Sequence, residues 1–424
     1  MIENLQYFFQ KLIAKLWFRP LIFCIISIGI ALLGHLADNS FLVDIVPEIE
    51  RTSLEKLLTN ISASMLVIAI FAVGSMISAY SAATGTATPR SFKLVVADDV
   101  SQIALSVYIG SFIYSIVASV ALRNEYYGQA GMFTLFILTL FVFAVVILTF
   151  LRWVERISKL GRLEHTIKKV EEVTLKVLEN RIEEPYLGGV PLFENPETGI
   201  PVFGNEVGYV QYIYMSKLQA LAKHHNITIT IKCIPGVFVS DDKPLAFIHT
   251  ENNSEEVDMD KIVKAFSIDQ TRSFSYDPRF GLIALSEISS RALSPAINDP
   301  GTAIAIIGSH VRLFTFWLKA LKENKEVEIK YDKIQVPVIV LKDMFEDAFR
   351  PIARDGANNI EVMLRLQKAF ISLSHAGNAE AQKIAVKHSK DAFERAELAM
   401  QFTDDLELLK SESLFFKNEF KTKK

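Results

Sequence analysis

Four long segments without a charged residue constrain this fold more than any other feature of the sequence. They run over residues 20–37, 61–89, 100–122 and 126–151. A helix needs about 20 apolar residues to cross the hydrocarbon core of a bilayer, with about 17 as the lower limit. Lipid offers the backbone no hydrogen-bond partner, so only helices suit these segments. The sequence therefore predicts four transmembrane helices, over residues 20–37, 61–84, 100–122 and 130–151.

Apolar and charged residues are segregated along the chain. The sequence is 50% hydrophobic and yet 22% charged, and charged side chains recur every few positions from Arg152 onward. This pattern predicts a membrane region followed by a large water-soluble domain. The net charge of −3 does not favour a nucleic-acid partner, and two cysteines are too few for a disulfide framework or a Cys-rich metal site.

Lysine and arginine residues flank the predicted spans unevenly. Cytoplasmic loops of membrane proteins carry an excess of these residues. Lys11, Lys15 and Arg19 precede the first span and several basic residues follow the fourth, whereas only Arg123 follows the third. The bias predicts a multi-pass protein whose termini and soluble domain are all cytoplasmic. Residues 1–19 are predicted to form an interfacial helix, and residues 87–99 a short interfacial segment.

Two of the predicted spans carry a face of small and polar residues at alternating three- and four-residue steps. In the second span the face comprises Gly74, Ser78, Ser81 and Gly85, and in the third it comprises Ser101, Ala104, Tyr108, Ser111, Ser115 and Ala118. Small faces allow helices to pack closely in lipid, which is the more general interpretation.

The alternative is that these faces line a water-filled path. Val67 and Phe71 are then candidate gate residues, because apolar rings close a pore by dewetting. The bulky fourth span would face lipid. Since no ionisable residue except His35 lies inside a span, proton-coupled transport is disfavoured.

The rest of the sequence predicts a cytoplasmic α+β domain in three parts. Residues 152–184 form a connecting helix, residues 185–250 a small mixed α/β module, and residues 251–424 a mainly helical region. The module is predicted to open with a Pro- and Gly-rich loop over residues 185–204, followed by strands over 207–213, 227–234 and 244–249 and a helix over 216–224. The helical region is predicted to contain a hairpin over 327–331 and 336–341, and helices over 343–354, 360–374 and 380–409.

Metal and catalytic motifs are not apparent in the sequence. His224, His225 and His249 are the candidate ligands, but adjacent histidines are unsuited to one ion and no acidic or thiol partner has ligand spacing. We therefore predict no metal and no cofactor. The sequence also has no P-loop, dinucleotide glycine fingerprint, nucleophile elbow or HExxH motif, which argues against an enzyme.

Residues 277–303 form the most unusual stretch, DPRFGLIALSEISSRALSPAINDPGTA. A buried helix is predicted to end at Ser294, because the following proline disfavours helix there. Asn298, Asp299 and Pro300 then resemble the start of a second buried helix, which makes an αα hairpin. Its candidate site residues are Asp277, Arg291, Ser294, Asn298, Asp299 and Thr302. They either cap the helices, which the pattern favours, or form a ligand pocket.

This chain resembles the bacterial predicted-membrane-protein family called domain of unknown function 2254. The likeness is carried by Asp277-Pro278-x-Phe280-Gly281, Arg291-Ala292-Leu293-Ser294-Pro295, Ile297-Asn298-Asp299-Pro300 with Thr302-Ala303, and Pro89-Arg90 after the second span. Ala296, Gly301 and Thr88 depart from the family pattern, where Gly, Thr and Ser are usual. The resemblance implies a bacterial inner-membrane protein and supplies no activity.

Two classes of function fit these features. The first is a homo-oligomeric ion channel, with the small faces around an axis and the cytoplasmic domain as gate or vestibule. The second is a non-conducting membrane sensor or scaffold whose cytoplasmic domain binds a ligand or partner. A small-residue helix joined to a large soluble domain favours the channel, while the lack of a charged ring favours the scaffold. The lipid bilayer is a partner in both.

Overall fold

A computed structural model of the chain describes residues 15, 17–39, 46–86, 88–96, 98–193, 198–250, 257–323 and 328–415. These residues divide into two compact units, which we call the N-terminal unit (residues 1–166) and the C-terminal unit (residues 167–424). Most of the predicted interfacial helix over residues 1–19 and the basic C-terminal tail lie outside the described residues.

The described part of the N-terminal unit is helical. Its elements are α1 (Phe18–Leu33), a 3-10 segment (Gly34–Asn39), α2 (Arg51–Thr86), α3 (Pro89–Val96), α4 (Asp99–Arg123) and α5 (Gln129–Ile157). Helix α2 begins ten residues before the predicted start at residue 61 and is about 54 Å long at 1.5 Å per residue. Its charged first turns form helix readily and need not lie in the hydrocarbon core. Helix α3 coincides with the predicted short segment.

Helix α4 is the centre of the N-terminal unit. Helices α1, α2 and α5 all pack against it. One apolar cluster joins Leu58, Tyr114 and Leu135 near the C-terminal end of α4. A second joins Met65, Tyr108 and Trp153 nearer its N-terminal end.

The prediction of one connecting helix over residues 152–184 is wrong, because a turn divides this segment. Helix α5 ends at Ile157 and α6 (Leu163–Glu183) begins after the turn. Gly161 has φ +88°, a left-handed conformation that glycine adopts without strain. A Cβ atom on Gly161 would lie 3.2 Å from the carbonyl oxygen of Ala79, and Leu160 packs against Ala83. The chain after α5 is therefore held against the C-terminal part of α2.

Two small sheets form the mixed part of the C-terminal unit. The strands are β1 (Gly189–Leu192), β2 (Ile200–Phe203), β3 (Gly208–Ile213), β4 (Thr228–Ile231), β5 (Phe238–Val239), β6 (Pro244–His249), β7 (Phe266–Asp269) and β8 (Tyr331–Pro337). Five strands follow the order β1-β8-β4-β6-β2, and three follow β5-β3-β7. Strand β8 pairs in parallel with both β1 and β4, and the remaining pairs are antiparallel.

Two strand predictions and one domain boundary need correction. The loop predicted over residues 185–204 contains β1 and β2, and their prolines fit because both strands are at sheet edges, where a missing N–H is tolerated. The hairpin predicted over residues 327–341 is instead the single strand β8, whose partners come from the preceding module. The boundary predicted at residue 250 therefore does not separate sheet from helices, since β7 and β8 lie beyond it.

Eight helices complete the described C-terminal unit after α6. They are α7 (Met215–His224), α8 (Met259–Val263), α9 (Phe280–Ala292), α10 (Pro300–Lys322), α11 (Leu341–Asp355), α12 (Ile360–Ala376), α13 (Ala379–Ala399) and α14 (Thr403–Glu412). The αα hairpin predicted from the motif is confirmed as α9 and α10. The single helix predicted over residues 380–409 is wrong, because Met400 and Phe402 have extended backbone and separate α13 from α14.

Five helical segments in the described chain are long and apolar enough to cross a membrane. They are Phe18–Asp38, Arg51–Ala83, Asp99–Arg123, Gln129–Ile157 and Pro300–Lys322. The first four correspond to the predicted spans. The fifth is α10, which packs against α9, α11 and α12 within the C-terminal unit.

Candidate functional site

The small face of α2 lies on the surface of the N-terminal unit. Gly74, Ser78, Ser81 and Gly85 are all exposed, and a Cβ atom built on either glycine meets no atom within 4 Å. The candidate gate residues continue the same face, with Val67 66% and Phe71 62% exposed. We call these six residues the α2 stripe.

The α2 stripe is opposite the face by which α2 joins its own bundle. Successive helix residues are rotated by about 100°, so the six positions fall within a strip of about 80°. Met65, Ala72, Met76 and Ala83 are buried and centre on the far side, about 180° away. Phe71 contacts Trp153 of α5, with ring centroids 6.1 Å apart, and the exposed remainder of the stripe is available to contact something other than its own unit.

The small face of α4 has the opposite environment. Ser101, Ala104, Tyr108, Ser111, Ser115 and Ala118 are all buried inside the N-terminal unit. A Cβ atom on the neighbouring Gly110 would lie 2.9 Å from Ser27 Oγ on α1, so the two helices cross closely. The α4 residues therefore serve helix packing within one chain.

Charged side chains tie both ends of the α4 bundle. At its N-terminal end, Asp98 accepts hydrogen bonds from Ser101 N at 2.9 Å and from Arg156 Nε at 2.7 Å. At its C-terminal end, Arg51 donates to the carbonyl oxygens of Leu122 and Arg123 at 2.6 and 2.9 Å. These charged residues lie at the ends of apolar segments. That position in the sequence is the signal from which they could have been predicted.

Asp98 is ionised in this arrangement although it is only 3% exposed. Burial by itself would raise the pKa of its carboxyl group. The hydrogen bonds from Arg156 and Ser101, together with the Arg156 charge, outweigh burial and hold the pKa of Asp98 below its ordinary value. The pair therefore links α4 to α5 as an ion pair at neutral pH.

Asp38 also joins two parts of the bundle, near the C-terminal end of α4. Its carboxylate accepts hydrogen bonds from Gly128 N and Gly131 N, both at 2.7 Å, and so caps the N-terminus of α5. A Cβ atom on Gly128 would lie 2.7 Å from Asp38 Oδ1, and one on Gly131 would be closer still. The two glycines therefore allow the capping carboxylate to approach.

The motif of residues 277–303 divides into two places in the C-terminal unit. Asp277 precedes α9, whereas Asn298, Asp299 and Thr302 follow it. The 13 residues of α9 separate these groups by about 20 Å at 1.5 Å per residue. The prediction of one corner containing all six candidate residues is therefore wrong for Asp277.

The corner after α9 has capping geometry. Asp299 accepts hydrogen bonds from Thr302 N at 3.0 Å and from Thr302 Oγ1 at 2.6 Å. Ser294 Oγ donates to the carbonyl oxygen of Arg291, and Asn298 adopts a left-handed conformation with φ +49°. Asparagine tolerates that conformation better than most residues. These contacts support helix capping at the corner.

Asp277 belongs to a partly buried network of charged residues whose other members the sequence does not predict as site residues. Arg272 Nε donates to its Oδ2 atom at 2.6 Å, and Arg279 N donates to Oδ1 at 3.0 Å. The Arg279 side chain bonds to Asp347 at 2.6 Å and to Asp343 at 3.0 Å on α11. The segment before α9 is therefore an electrostatic link to α11.

Two glycines show how tightly this segment is packed. A Cβ atom on Gly281 would overlap the Thr174 side chain of α6, and one on Gly236 would overlap the Asp277 carboxylate. Gly236 also has φ +94°. Asp277, Arg279 and Gly281 thus have architectural contacts in this segment.

These features define a multi-pass membrane protein in which several apolar helices precede a mixed α/β and helical region. The chain belongs to the family described as predicted membrane protein, domain of unknown function 2254, which matches residues 14–372. The family resemblance drawn from the motif is therefore confirmed.

Two curated proteins share a shorter region with this chain. An uncharacterized protein of Mycobacterium bovis and one of Mycobacterium tuberculosis are each 27% identical to it over 116 residues. That region is 26% of this chain and 22% of each relative, so the chain matches about a fifth of their length. No solved structure matches the chain.

Proposed function

We propose that the protein is a homo-oligomeric ion channel of the bacterial inner membrane, with the α2 stripe facing a shared axis. The observation that carries this proposal is the exposure of the stripe on the surface of the bundle. An exposed row of Gly and Ser at helix-packing intervals suits contact with other copies or with water. Conduction, rather than catalysis, is the function that such a face supports.

The chemistry of the stripe suits passage of ions without fixed charge. The Ser78 and Ser81 hydroxyls and the backbone beside Gly74 and Gly85 can replace part of an ion's hydration shell. Rings of Val67 and Phe71 at a constriction would exclude water when the pore is narrow. We therefore expect weak ion selectivity.

A route exists by which the C-terminal unit would act on α2. Leu160 and Gly161 pack against Ala79 and Ala83, immediately before the chain enters α6. A pull on this turn would act first on the C-terminal part of α2, which contains Ser81 and Gly85. This contact supports a gating role for the C-terminal unit.

Four crossing helices are proposed, namely α1, α2, α4 and α5. The contacts of α10 support leaving it out of the membrane: its buried His310 lies 3.2 Å from Ser286, and Arg312 bonds to Glu171 of α6 at 2.5 and 2.6 Å. Those contacts suit the core and surface of a soluble unit. The distribution of Lys and Arg then favours cytoplasmic termini.

Reporter fusions test this topology. A reporter fused after Lys424 should be active only as a cytoplasmic enzyme, and one inserted at the exposed Asn124 only as an external one. External activity of the C-terminal fusion would contradict the proposed orientation.

Cysteine accessibility tests the path itself. The two native cysteines, Cys24 and Cys233, are first replaced by alanine, and single cysteines are then placed at Gly74, Ser78, Ser81 and Gly85. A water-soluble thiol reagent should react at these positions and reduce the current recorded from purified protein in a planar bilayer. The matched controls are cysteines at Ala72 and Met76, which are buried on the other face of α2 and should not react.

The scaffold interpretation makes a different prediction in the same assay. Without a path, the four stripe positions remain unreactive because lipid or protein covers them, and no current appears under voltage, tension or changed ion conditions. Crosslinked oligomers that carry no current would support the homo-oligomer and contradict the channel. A protein that is monomeric at every concentration would contradict both.

A further inference from the structure

Where α4 meets α5, the polar atoms of two large buried side chains have no partner in the part of the chain that the structure describes. Tyr108 is 0% exposed and Trp153 is 1% exposed, and both belong to the apolar cluster that also contains Met65 and Val146. Their ring centroids are 6.5 Å apart, with the ring planes at 87°. Neither Tyr108 Oη nor Trp153 Nε1 has a hydrogen-bond partner among the described residues.

The two other buried tyrosine hydroxyl groups of the described bundle are paired. Tyr114 Oη lies 3.0 Å from Thr139 Oγ1, and Tyr127 Oη donates to the carbonyl oxygen of Ala31 at 2.6 Å. A buried polar group without a partner is costly, most of all at membrane depth. The contrast with the two paired tyrosines therefore requires an explanation for Tyr108 and its neighbour Trp153.

We infer that the contact between Tyr108 and Trp153 is a buried hydration site. The indole N–H can only donate, whereas the phenol hydroxyl can donate and accept. Water supplies both an acceptor for Trp153 and a partner for Tyr108, and internal water commonly satisfies otherwise unpaired buried groups. A hydrocarbon chain would leave both atoms unpaired.

The position of the site explains how water reaches it. Arg156 lies three residues after Trp153, which is one helical turn along α5, and Arg156 pairs with Asp98 at the end of the bundle. The Arg156 side chain is 25% exposed, so this ion pair borders solvent. The hydration site is thus about one turn inside a polar entrance.

The inference does not depend on conduction through the α2 stripe. Trp153 also contacts Phe71 of the stripe, with ring centroids 6.1 Å apart, while its own indole nitrogen is buried. A protein without any current would still bind water at Tyr108 and Trp153.

Water contact with the indole is measured by NMR on the full chain in lipid nanodiscs. The three tryptophans give three indole N–H signals, and the Trp153→Phe variant identifies the signal of interest. We expect a cross-peak between water and the Trp153 indole proton. Trp17, which is 53% exposed, is the hydrated reference. A Trp153 indole proton without a water cross-peak, when the Trp17 indole proton has one, would overturn the inference.

A matched pair of tyrosine variants tests the other half of the site. Tyr114→Phe removes a hydroxyl with a protein partner, so its melting temperature should fall. Tyr108→Phe should also lower the melting temperature if water bonds the hydroxyl. In a dry contact the same change removes an unpaired group, and the melting temperature would stay the same or rise. That second result would exclude Tyr108 from a hydration site.

Discussion

Helices α2 and α4 carry similar faces of Gly, Ala and Ser and use them in different ways. The α4 face is buried against the other helices of its own bundle, and the α2 stripe is on the surface. Helix α4 is also tied at both ends, by Asp98 with Arg156 and by Arg51 with the last carbonyl groups of the helix. The stripe of α2 has open space beside both of its glycines.

This difference shows that a small-residue face has no single meaning. On a central helix it permits close crossing inside one chain, as at Gly110. On a peripheral helix the same composition offers a contact to a second chain or to water. Which meaning applies depends on how many neighbours surround the helix. The following predictions test that distinction.

The first prediction compares added bulk on the two faces. Ser115→Leu in α4 inserts three carbon atoms where no space exists, and should destabilise the bundle by about 1–3 kcal/mol. Ser81→Leu in α2 should change the free energy of unfolding by less than about 0.5 kcal/mol, because the residue is exposed. Thermal unfolding in detergent measures both.

The oligomeric state of the two variants completes that comparison. Ser81→Leu should alter the oligomer distribution at constant protein stability, as seen by mass photometry or native mass spectrometry. If Ser81→Leu instead unfolds the bundle and Ser115→Leu does not, the two faces have been assigned the wrong way round.

The second effect concerns the charged tie of α4. Asp98→Asn keeps the shape of the side chain and removes its charge, and should cost about 1.5–3 kcal/mol at neutral pH, the range for hydrogen bonds to charged groups. The folded pKa of Asp98 is lowered, so its contribution to stability is complete above the unfolded pKa of about 3.9 and is lost as the pH falls through the folded value.

The pH dependence provides the control for Asp98. The difference in melting temperature between wild type and Asp98→Asn should be constant from pH 7 to about 5 and shrink below pH 4. Asp99→Asn is a suitable reference variant. The Asp99 side chain is 65% exposed, and the ion pair that the structure describes for it is with Arg19. Equal losses for both variants would mean that burial does not distinguish the two carboxylates.

Sequence patterns predicted the helices well and their surroundings poorly. The absence of charge identified α1, α2, α4 and α5, and the Asp299-Pro300 pair identified the start of α10, because both signals are local. The neighbours of a face are not local. Nothing in Ser78 or Ser115 alone states that one is exposed and the other buried.

The missed contacts have the same cause. Strand β8 joins β1 and β4 across more than a hundred residues of sequence, and the prolines of β1 and β2 suggested a loop until their edge positions were known. Asp277 was grouped with Asn298 by closeness in sequence, although α9 lies between them. Arg279 gives no sign in the sequence that its partners are Asp343 and Asp347.

A third prediction uses the corner after α9 as an architectural reference. Asp299→Ala removes the cap of α10 and should cost about 0.5–2 kcal/mol, the usual range for such caps. Thermal unfolding measures the loss, and Asp299→Asn should recover most of it, because asparagine also caps helices. A change in current with unchanged melting would instead indicate that the corner binds a ligand or takes part in gating.

The smallest effect should have opposite signs on the two helices. A Cβ atom on Gly74 meets nothing, so Gly74→Ala gains helix propensity and should stabilise the unassembled bundle by about 0.5–1 kcal/mol. A Cβ atom on Gly110 lies 2.9 Å from Ser27 Oγ and 3.4 Å from Phe23 Cβ, so α1 must shift and the propensity gain is cancelled or reversed. Unfolding of both variants in denaturing detergent measures the two signs.

The Ser27→Ala background separates the steric cost at Gly110 from the gain in helix propensity. Removal of the Oγ atom should restore a gain to Gly110→Ala and leave Gly74→Ala unchanged. If Gly74→Ala is destabilising while the protein is oligomeric and stabilising after dilution to monomers, the glycine is needed at a contact between copies, which is the role proposed for the α2 stripe.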